Sequence, residues 1–367
     1  MFKNIYQNKK VLVTGHTGFK GSWLTTWLLK LGANVVGISK DIPTSPSMFE
    51  ELKLKDKIKH YSEDIRDLSK MIKIISDEQP EFLFHLAAQP IVSTSYSDPI
   101  ETISSNVMGT ANILESLKSS NHKCTVIIIT SDKAYDNVEQ VWGYKEDDKM
   151  GGKDIYSGSK GAAELIIKSY YHSFLKKENC NIKLAIGRAG NVIGGGDWAK
   201  DRIVVDCMEA WSKKESVEIR SPQATRPWQH VLEPLSGYLN LGQVLYADDS
   251  LHGEAFNFGP RAEQNHTVKQ LLEDLSKYWH FTDVNDAFRV TDNIPFHEAG
   301  LLKLNCDKAL FHFKWQANME YKDTVRFTSD WYYDFYNNKD KSILDKTLEQ
   351  VTEYEKMAKE KGLLWTE

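Results

Sequence analysis

VLVTGHTGFKG, residues 11–21, decides the fold. A short apolar run, Val11, Leu12 and Val13, stops at glycines 15, 18 and 21, and the spacing of residues 22–31 predicts an amphipathic helix. Strand, tight turn and helix in that order make a dinucleotide site. Gly15 lets the chain turn, Gly18 lets backbone approach a pyrophosphate, and Gly21 lets the helix pack close to the sheet. The exposed N–H groups at the helix start then hold the anion. The spacing is GxxGxxG rather than GxGxxG, and glycine-rich turns without a ligand share it, so a second signal is needed.

Tyr156 and Lys160 supply it. Both fall in a stretch whose residues permit helix, and side chains four apart share a helix face. A cation beside a phenol favours phenolate, which would draw the tyrosine from its usual value of about 10 toward neutrality. Such a group can take a hydroxyl proton while hydride leaves the same carbon. A chance YxxxK on a surface helix is common. Here it follows a glycine-rich βα turn at the distance of several more βα units.

At 367 residues the chain is longer than one core usually organises, and two lobes are expected. Hydrophobic residues make up 41% and charged residues 26%, as in ordinary soluble proteins. A formal net charge of −5 offers no footprint for nucleic acid or an anionic membrane. MFKNIYQNKK is too polar for a signal peptide, and no apolar run could span a bilayer, so the cytoplasm is the expected location. Cys124, Cys180, Cys207 and Cys306 are scattered, which predicts small core residues rather than disulfides or zinc ligands. The histidines show no HxxxH pair, and no protein-held metal is expected.

Strand-like runs at 11–14, 34–39, 82–86, 125–130 and 182–187 alternate with helical periodicity at 69–78, 98–119 and 155–177. This predicts an α/β fold, a doubly wound parallel sheet of the Rossmann type covered on both faces. Regularity ends near Arg188, where GNVIGGGDW and RSPQATRPWQH open a loop-rich region. The expected division is a cofactor domain over 1–187, rejoined by a strand near 253–259, and a smaller mixed substrate lobe over 188–367. That lobe ends in a helical tail carrying Leu344, Leu348, Val351, Tyr354 and Met357 on one face.

Asp41, twenty residues beyond Gly21, can accept the ribose hydroxyls of NAD; Lys40 beside it could instead receive the 2′-phosphate of NADP. Asp64, in the Asp64-Ile65-Arg66-Asp67 run, can accept from an adenine amino group or be a solvated loop charge. The small residues of His85-Leu86-Ala87-Ala88-Gln89 let backbone approach a cofactor, with His85 a packed structural residue. Ser131, Asp132 and Lys133 close the fifth strand at the edge where open α/β sheets bind ligands. Ser131 can share a substrate hydroxyl proton with Tyr156. Arg202, Arg220 and Arg226 suit a diphosphate, and Trp198 or Trp228 could shape a base pocket.

Several stretches carry a resemblance: VLVTGHTGFKGSWL, HLAAQP, NVMGT, TSDKAYDN, YSGSKGAAE, RAGNVIGGGDWAKDR and TRPWQHVLEPLSGYL. Through them, over residues 11–239, the chain resembles the extended short-chain dehydrogenase/reductases, and within these the nucleotide-sugar dehydratases acting on CDP-glucose. The resemblance implies bound NAD, contacted by Gly15, Thr17, Gly18, Phe19, Lys20, Gly21, Asp41, Asp64, Ile65, Leu86, Ala87, Ala88, Gln89, Asn106, Tyr156 and Lys160. It implies substrate contacts at Ser93, Tyr135, Asn191, Arg202 and Arg226. Hydride would leave C4 as Tyr156 takes the O4 proton, assisted by Ser131 and Lys160; water would leave across C5 and C6, and hydride would return to C6. The product would be a precursor of deoxysugars in surface polysaccharides. Relatives acting on dTDP- and GDP-sugars carry Asp-Glu where this chain has Asp132-Lys133. Asp132 stays the candidate acid at C6, while Lys133 either takes the C5 proton as a neutral amine or holds Asp132 by charge. A 4-epimerase, or a non-catalytic NAD-sensing regulator, would share the cofactor site. The resemblance also implies a homodimer built on the helices bearing Asn106 and Tyr156, or a tetramer of two such pairs.

Overall fold

The computed structural model describes residues 1–177, 180–219, 221–281, 283–291 and 301–367. Strand β1 (Lys10–Thr14) pairs in parallel with β2 (Asn34–Ser39) on one side and β4 (Phe82–His85) on the other. β3 (Lys59–Ser62), β5 (Cys124–Ile129), β6 (Ile182–Ala189) and β7 (Ala255–Phe258) extend the sheet to the order β7-β6-β5-β4-β1-β2-β3. Every pairing in this seven-stranded sheet is parallel. The strand order reverses between β1 and β4, and ligands of such sheets bind beyond the strand ends at that point. The expected doubly wound sheet is therefore present, with its return strand at β7.

Side chains alternate faces along a strand, and the sheet separates two cores accordingly. Val11, Val13, Phe84, Ile127 and Ala185 join the core that holds the Phe19–Lys30 helix and the C-terminal half of the chain. Leu12, Leu83, Val126, Ile128 and Leu184 face the core that the helices Leu68–Glu78, Gly109–Lys118 and Ile155–Tyr170 cover. The helix Leu232–Ala247 lies against β5 and β6, so residues beyond 188 add a helix as well as β7 to the sheet layers.

Two helical expectations change. The helix after the glycines starts at Phe19, and eight successive residues from Gly21 to Leu28 are buried, so it is not amphipathic. It is enclosed between the sheet, the Leu232–Ala247 helix and the tail helix Ile343–Glu360. Trp23 Nε1 donates to the Gly195 carbonyl at 2.9 Å, and Trp27 Nε1 donates to Glu355 at 2.8 Å. The single helix expected at 98–119 is divided by a π-turn at Ser104–Met108, which carries Asn106. The tail helix buries Ile343, Thr347, Val351, Tyr354 and Ala358, leaving Leu344, Leu348 and Met357 at the margin of the buried face. Cys124 and Cys207 are buried, Cys180 and Cys306 half-buried, and all four are free thiols. No helix among the described residues is long and apolar enough to cross a membrane.

Gly21 is the tightest point near the site. A Cβ there would stand 2.1 Å from the Gly15 carbonyl oxygen and 2.7 Å from His16 Cα, both backbone atoms that cannot turn aside. Gly21→Ala should therefore cost about 3 kcal/mol or more, at or beyond the upper end for overpacking. Gly158, on the Tyr156 helix, has nothing within 4 Å of an added Cβ. Gly158→Ala should gain up to about 1 kcal/mol from helix propensity. Urea unfolding midpoints at unchanged slope test both; an undisturbed midpoint in Gly21→Ala would contradict the packing assigned here.

Candidate active site

All strands of a parallel sheet end on one edge, so the loops after β1 to β6 converge there. Gly15 has φ +74°, and a Cβ on it would meet the Ala87 nitrogen at 2.7 Å. The loops after β1 and β4 therefore touch at the switch point. Gly18 caps the Phe19–Lys30 helix without a side-chain bond, and the first turn holds no acid. Early N–H groups of a helix have no intrahelical acceptor, so this glycine cradle fits the diphosphate of a dinucleotide. Lys20 adds a cation in the same turn.

Thr17 ties the cradle to the end of β2 by donating its hydroxyl to the Asp41 carbonyl at 2.7 Å; the Asp41 side chain is exposed. Lys40, the candidate for a 2′-phosphate, instead donates to Glu101 at 2.7 Å. Glu101 also takes Arg66, whose guanidinium forks onto Asp64 and holds that carboxyl below its ordinary value. Lys40 is thus already neutralised, with acids around it that would repel a phosphate. Ile65 is buried against Gly109. After β4, the Ala87 N–H donates to Thr14 at 3.2 Å and the Gln89 N–H to Asn106 at 2.8 Å. Asn106 in turn donates to Ser159 at 2.9 Å, linking the stretch Leu86, Ala87, Ala88 and Gln89 to the Tyr156 helix. His85 is the expected structural residue, bonded to Thr14 and Thr110 and kept neutral by burial.

The Ser131 hydroxyl donates to Asp132 at 2.9 Å and accepts the Lys133 N–H, starting a short turn at Asp132–Ala134. Asp132 is buried, and burial raises its carboxyl pKa against the opposing pull of Lys133 and Ser131. Lys133 is half-buried. Tyr156 and Lys160 are each 7% exposed, and the Lys160 Nζ lies 5.8 Å from the Tyr156 ring centroid. The surroundings of the phenol oppose the expected drop toward neutrality. Burial, and then the Asp132 charge, push Tyr156 up to about 12, outweighing the Ser131 hydrogen bond and the Arg202 charge. Burial, and then Lys20, bring Lys160 down to about 8. The cation stands by the ring while both groups sit out of water, and loss of hydration wins. Lys20 is itself lowered to about 8 by burial and by Arg202, while Asp132 and Asp197 oppose. From the turn of the glycine cradle, its charge thus feels both Asp132 and Asp197.

On the substrate side, Ser93 donates to Asp201 at 2.6 Å, and Arg202 pairs with buried Asp197 at 2.7 Å. Asn191 is exposed where the chain leaves β6. Arg226 sits half-buried in a two-residue ribbon, Thr225–Arg226, antiparallel to His266–Thr267. Arg220 lies outside the described residues.

Three expectations fail on side-chain direction. Tyr135 is 1% exposed, and its hydroxyl donates to Asn257 at 2.8 Å while accepting from Arg188 at 2.6 Å, so it is framework and not a substrate contact. Trp198 packs into Trp331, Tyr332 and Phe335. Trp228 is buried and donates to the His266 carbonyl. Neither lines a base pocket. Sequence reasoning missed the buried pair Glu164–Arg188 (2.5 Å). Its one signal is that Glu164 follows Lys160 by four on the same helix face. Among the described residues no cluster could hold a metal ion.

Residues 12–328 match the family model described as GDP-mannose 4,6 dehydratase. The chain is 45% identical to the CDP-glucose 4,6-dehydratase of Salmonella typhimurium, over 96% of this chain and 98% of that one. It is 25% identical to the dTDP-glucose 4,6-dehydratase of Haemophilus influenzae, over 88% and 97%. Among solved structures, the dTDP-glucose 4,6-dehydratase of Streptomyces venezuelae with NAD and TYD bound shares the fold at TM-score 0.74 and 17% identity, over 91% and 99% of the two chains. The UDP-glucuronic acid 4-epimerase of Bacillus cereus, in complex with UDP-glucuronic acid and NAD, does so at 0.74 and 22%, over 89% and 100%. A model matched over most of the chain, a relative at 45% identity and a glycine cradle facing a Ser-Asp-Tyr-Lys set agree: the chain belongs to the GDP-mannose 4,6-dehydratase family.

Proposed function

We propose that this chain dehydrates CDP-D-glucose to CDP-4-dehydro-6-deoxy-D-glucose with NAD as a recycled cofactor. The observation that carries the reading is Asp132, a carboxyl raised by burial beside Ser131 and close enough to Tyr156 for its charge to act on the phenol. A 4-epimerase needs no acid at C6, and an NAD-sensing regulator needs none of the set. The similarity to the CDP-glucose enzyme of Salmonella typhimurium supports cytidine as the base.

Held at the cradle of Gly15, Gly18 and Gly21, NAD would supply a hydride acceptor for C4 and a hydride donor for C6. The protein handles the protons. Tyr156, assisted by Ser131 and Lys160, takes the O4 proton as phenolate, a form that a cationic ligand beside the buried phenol would favour over the neutral form held in the cofactor-free protein. The C4 ketone acidifies C5–H, whose proton passes to a base and is replaced at C5 as hydride arrives at C6; Lys133 is the candidate base, with holding Asp132 by charge as its alternative role. Asp132 donates to the C6 oxygen as that bond breaks, so water leaves with one proton from the acid. Asn191, Arg202 and Arg226 are assigned to the diphosphate, and Ser93 to the substrate side of the cleft. In this reading residues 1–187 hold the cofactor and 188–367 chiefly the nucleotide sugar, in the cytoplasm. Met108 and Leu165 are more than half exposed on the helical segments following Asn106 and Tyr156, which supports a homodimer there, or a pair of dimers.

The direct test is incubation of the purified protein with CDP-, dTDP- and UDP-glucose. A 4-keto sugar should form with the highest kcat/KM from CDP-glucose; a higher value with either of the others would refute the assignment.

Asp132→Asn should leave C4 oxidation intact but slow water release about a hundred- to ten-thousandfold, the usual span for a general acid. Rapid mixing should then show reduced cofactor accumulating. Product formed at full speed would mean another group supplies the proton.

A third outcome concerns pH. Because burial holds Tyr156 at about 12 in the protein free of cofactor, an ultraviolet titration of wild type minus Tyr156→Phe should show no phenolate below the ordinary tyrosine value of about 10. Ionisation near neutrality would restore the cation-driven account.

A further inference from the structure

The proton chemistry above makes no use of Glu164 and Arg188, yet each is 3% exposed and charged. Glu164 lies one turn past Lys160 on the Ile155–Tyr170 helix, and Arg188 is near the end of β6. Arg188 Nε donates to both Glu164 oxygens, at 2.8 and 2.9 Å. Thr130, the residue before Ser131, donates its hydroxyl to Glu164 at 2.6 Å. Arg188 Nη1 donates to the Tyr135 hydroxyl at 2.6 Å and to the Glu146 carbonyl at 2.8 Å, and the guanidinium lies 4.9 Å from the Tyr135 ring centroid. Tyr135 passes the network on to Asn257 of β7, whose own N–H donates to Glu146 at 2.8 Å. Thr130 and Tyr135 flank the segment 131–134, so one ion pair grips that segment at both ends.

Burying a charged pair often adds nothing to stability, because lost hydration offsets the attraction. A positional role accounts for the arrangement better. Ser131 and Asp132 stand on a strand end, Tyr156 and Lys160 on a helix, and the hydrogen bonds of Thr130 and Arg188 to Glu164 tie the strand ends to that helix. We propose that Glu164 and Arg188 are positioning residues, whose ion pair clamps Thr130 and Tyr135 and so fixes the Ser131–Asp132 segment against the Tyr156–Lys160 helix. This rests on the proposed function only in taking those four residues as the reacting set.

The test trims the clamp at its flanks, where folding is least at risk. Thr130→Val and Tyr135→Phe each remove one hydroxyl and keep the shape. Each should lower kcat on CDP-glucose about ten- to a hundredfold, as expected for a small misplacement of reacting groups, with KM within about threefold. Thr130→Ser should restore the rate. Hydrogen exchange followed by mass spectrometry, on protein without substrate, should show faster exchange in peptides covering 130–136 in both variants and elsewhere no change. Wild-type kcat in the two variants, or reduced kcat with unchanged exchange at 130–136, would overturn the proposal. Should the wild-type protein not turn over CDP-glucose, the exchange measurement still decides whether the clamp exists, so the two failures are separable.

Discussion

Gly21 lies so near the Gly15 carbonyl that no side-chain atom fits between them. That contact lets the Phe19–Lys30 helix begin directly over the end of β1, and much of the molecule follows from it. The helix start faces the switch point of the sheet with its N–H groups free of side-chain caps. Its body is then held so close to the sheet that Trp23 and Trp27 fill the space between sheet and C-terminal half. A glycine chosen for close approach thus sets both the anion seat and the packing of the largest core.

Low polarity is the second organising condition, and it acts on the whole proposed catalytic set at once. Asp132, Tyr156, Lys160 and Lys20 are all displaced toward their neutral forms, with burial the leading cause in each case. Groups shifted toward their neutral forms hold less water to shed before a substrate arrives, and Lys20 and Lys160, brought down to about 8, lie closest to neutral pH. Arg188 and Glu164, equally buried, face each other at hydrogen-bond distance. Groups shifted toward their neutral forms therefore rest on an ion-paired framework.

What the sequence made legible was whatever depends on near neighbours. The two-sided apolar runs located β1, β2, β5 and β6 within a residue or two, and the glycine spacing located the cradle. Ser131, Asp132, Tyr156 and Lys160 follow from strand-end position and helix periodicity. Direction and distance along the chain defeated the rest. Trp198 follows a glycine run and Trp228 a proline, in loop-rich stretches where pocket aromatics would stand, but nothing in their spacing tells that they turn inward. Tyr135 looked available because its partners, Arg188 and Asn257, are remote in sequence. The helix after Gly18 looked amphipathic because a tail more than 300 residues later covers its outer side; the Lys30–Glu355 pair marks that contact. The Tyr156 phenol was misjudged for a related reason: a helix pattern reveals the neighbouring cation but not the depth of burial.

The tail bears on the cradle through that same helix. Its last turns carry Trp27 and Lys30, which both bond Glu355, and Trp27 also packs against Tyr354 and Trp365, while its first turn is the proposed anion seat. Docking of the tail and occupancy of the seat therefore act on one rigid rod from opposite ends. Two equilibria coupled through a shared element must help each other by equal amounts: whatever grip the tail lends a bound dinucleotide, the dinucleotide returns as resistance of the tail to peeling away.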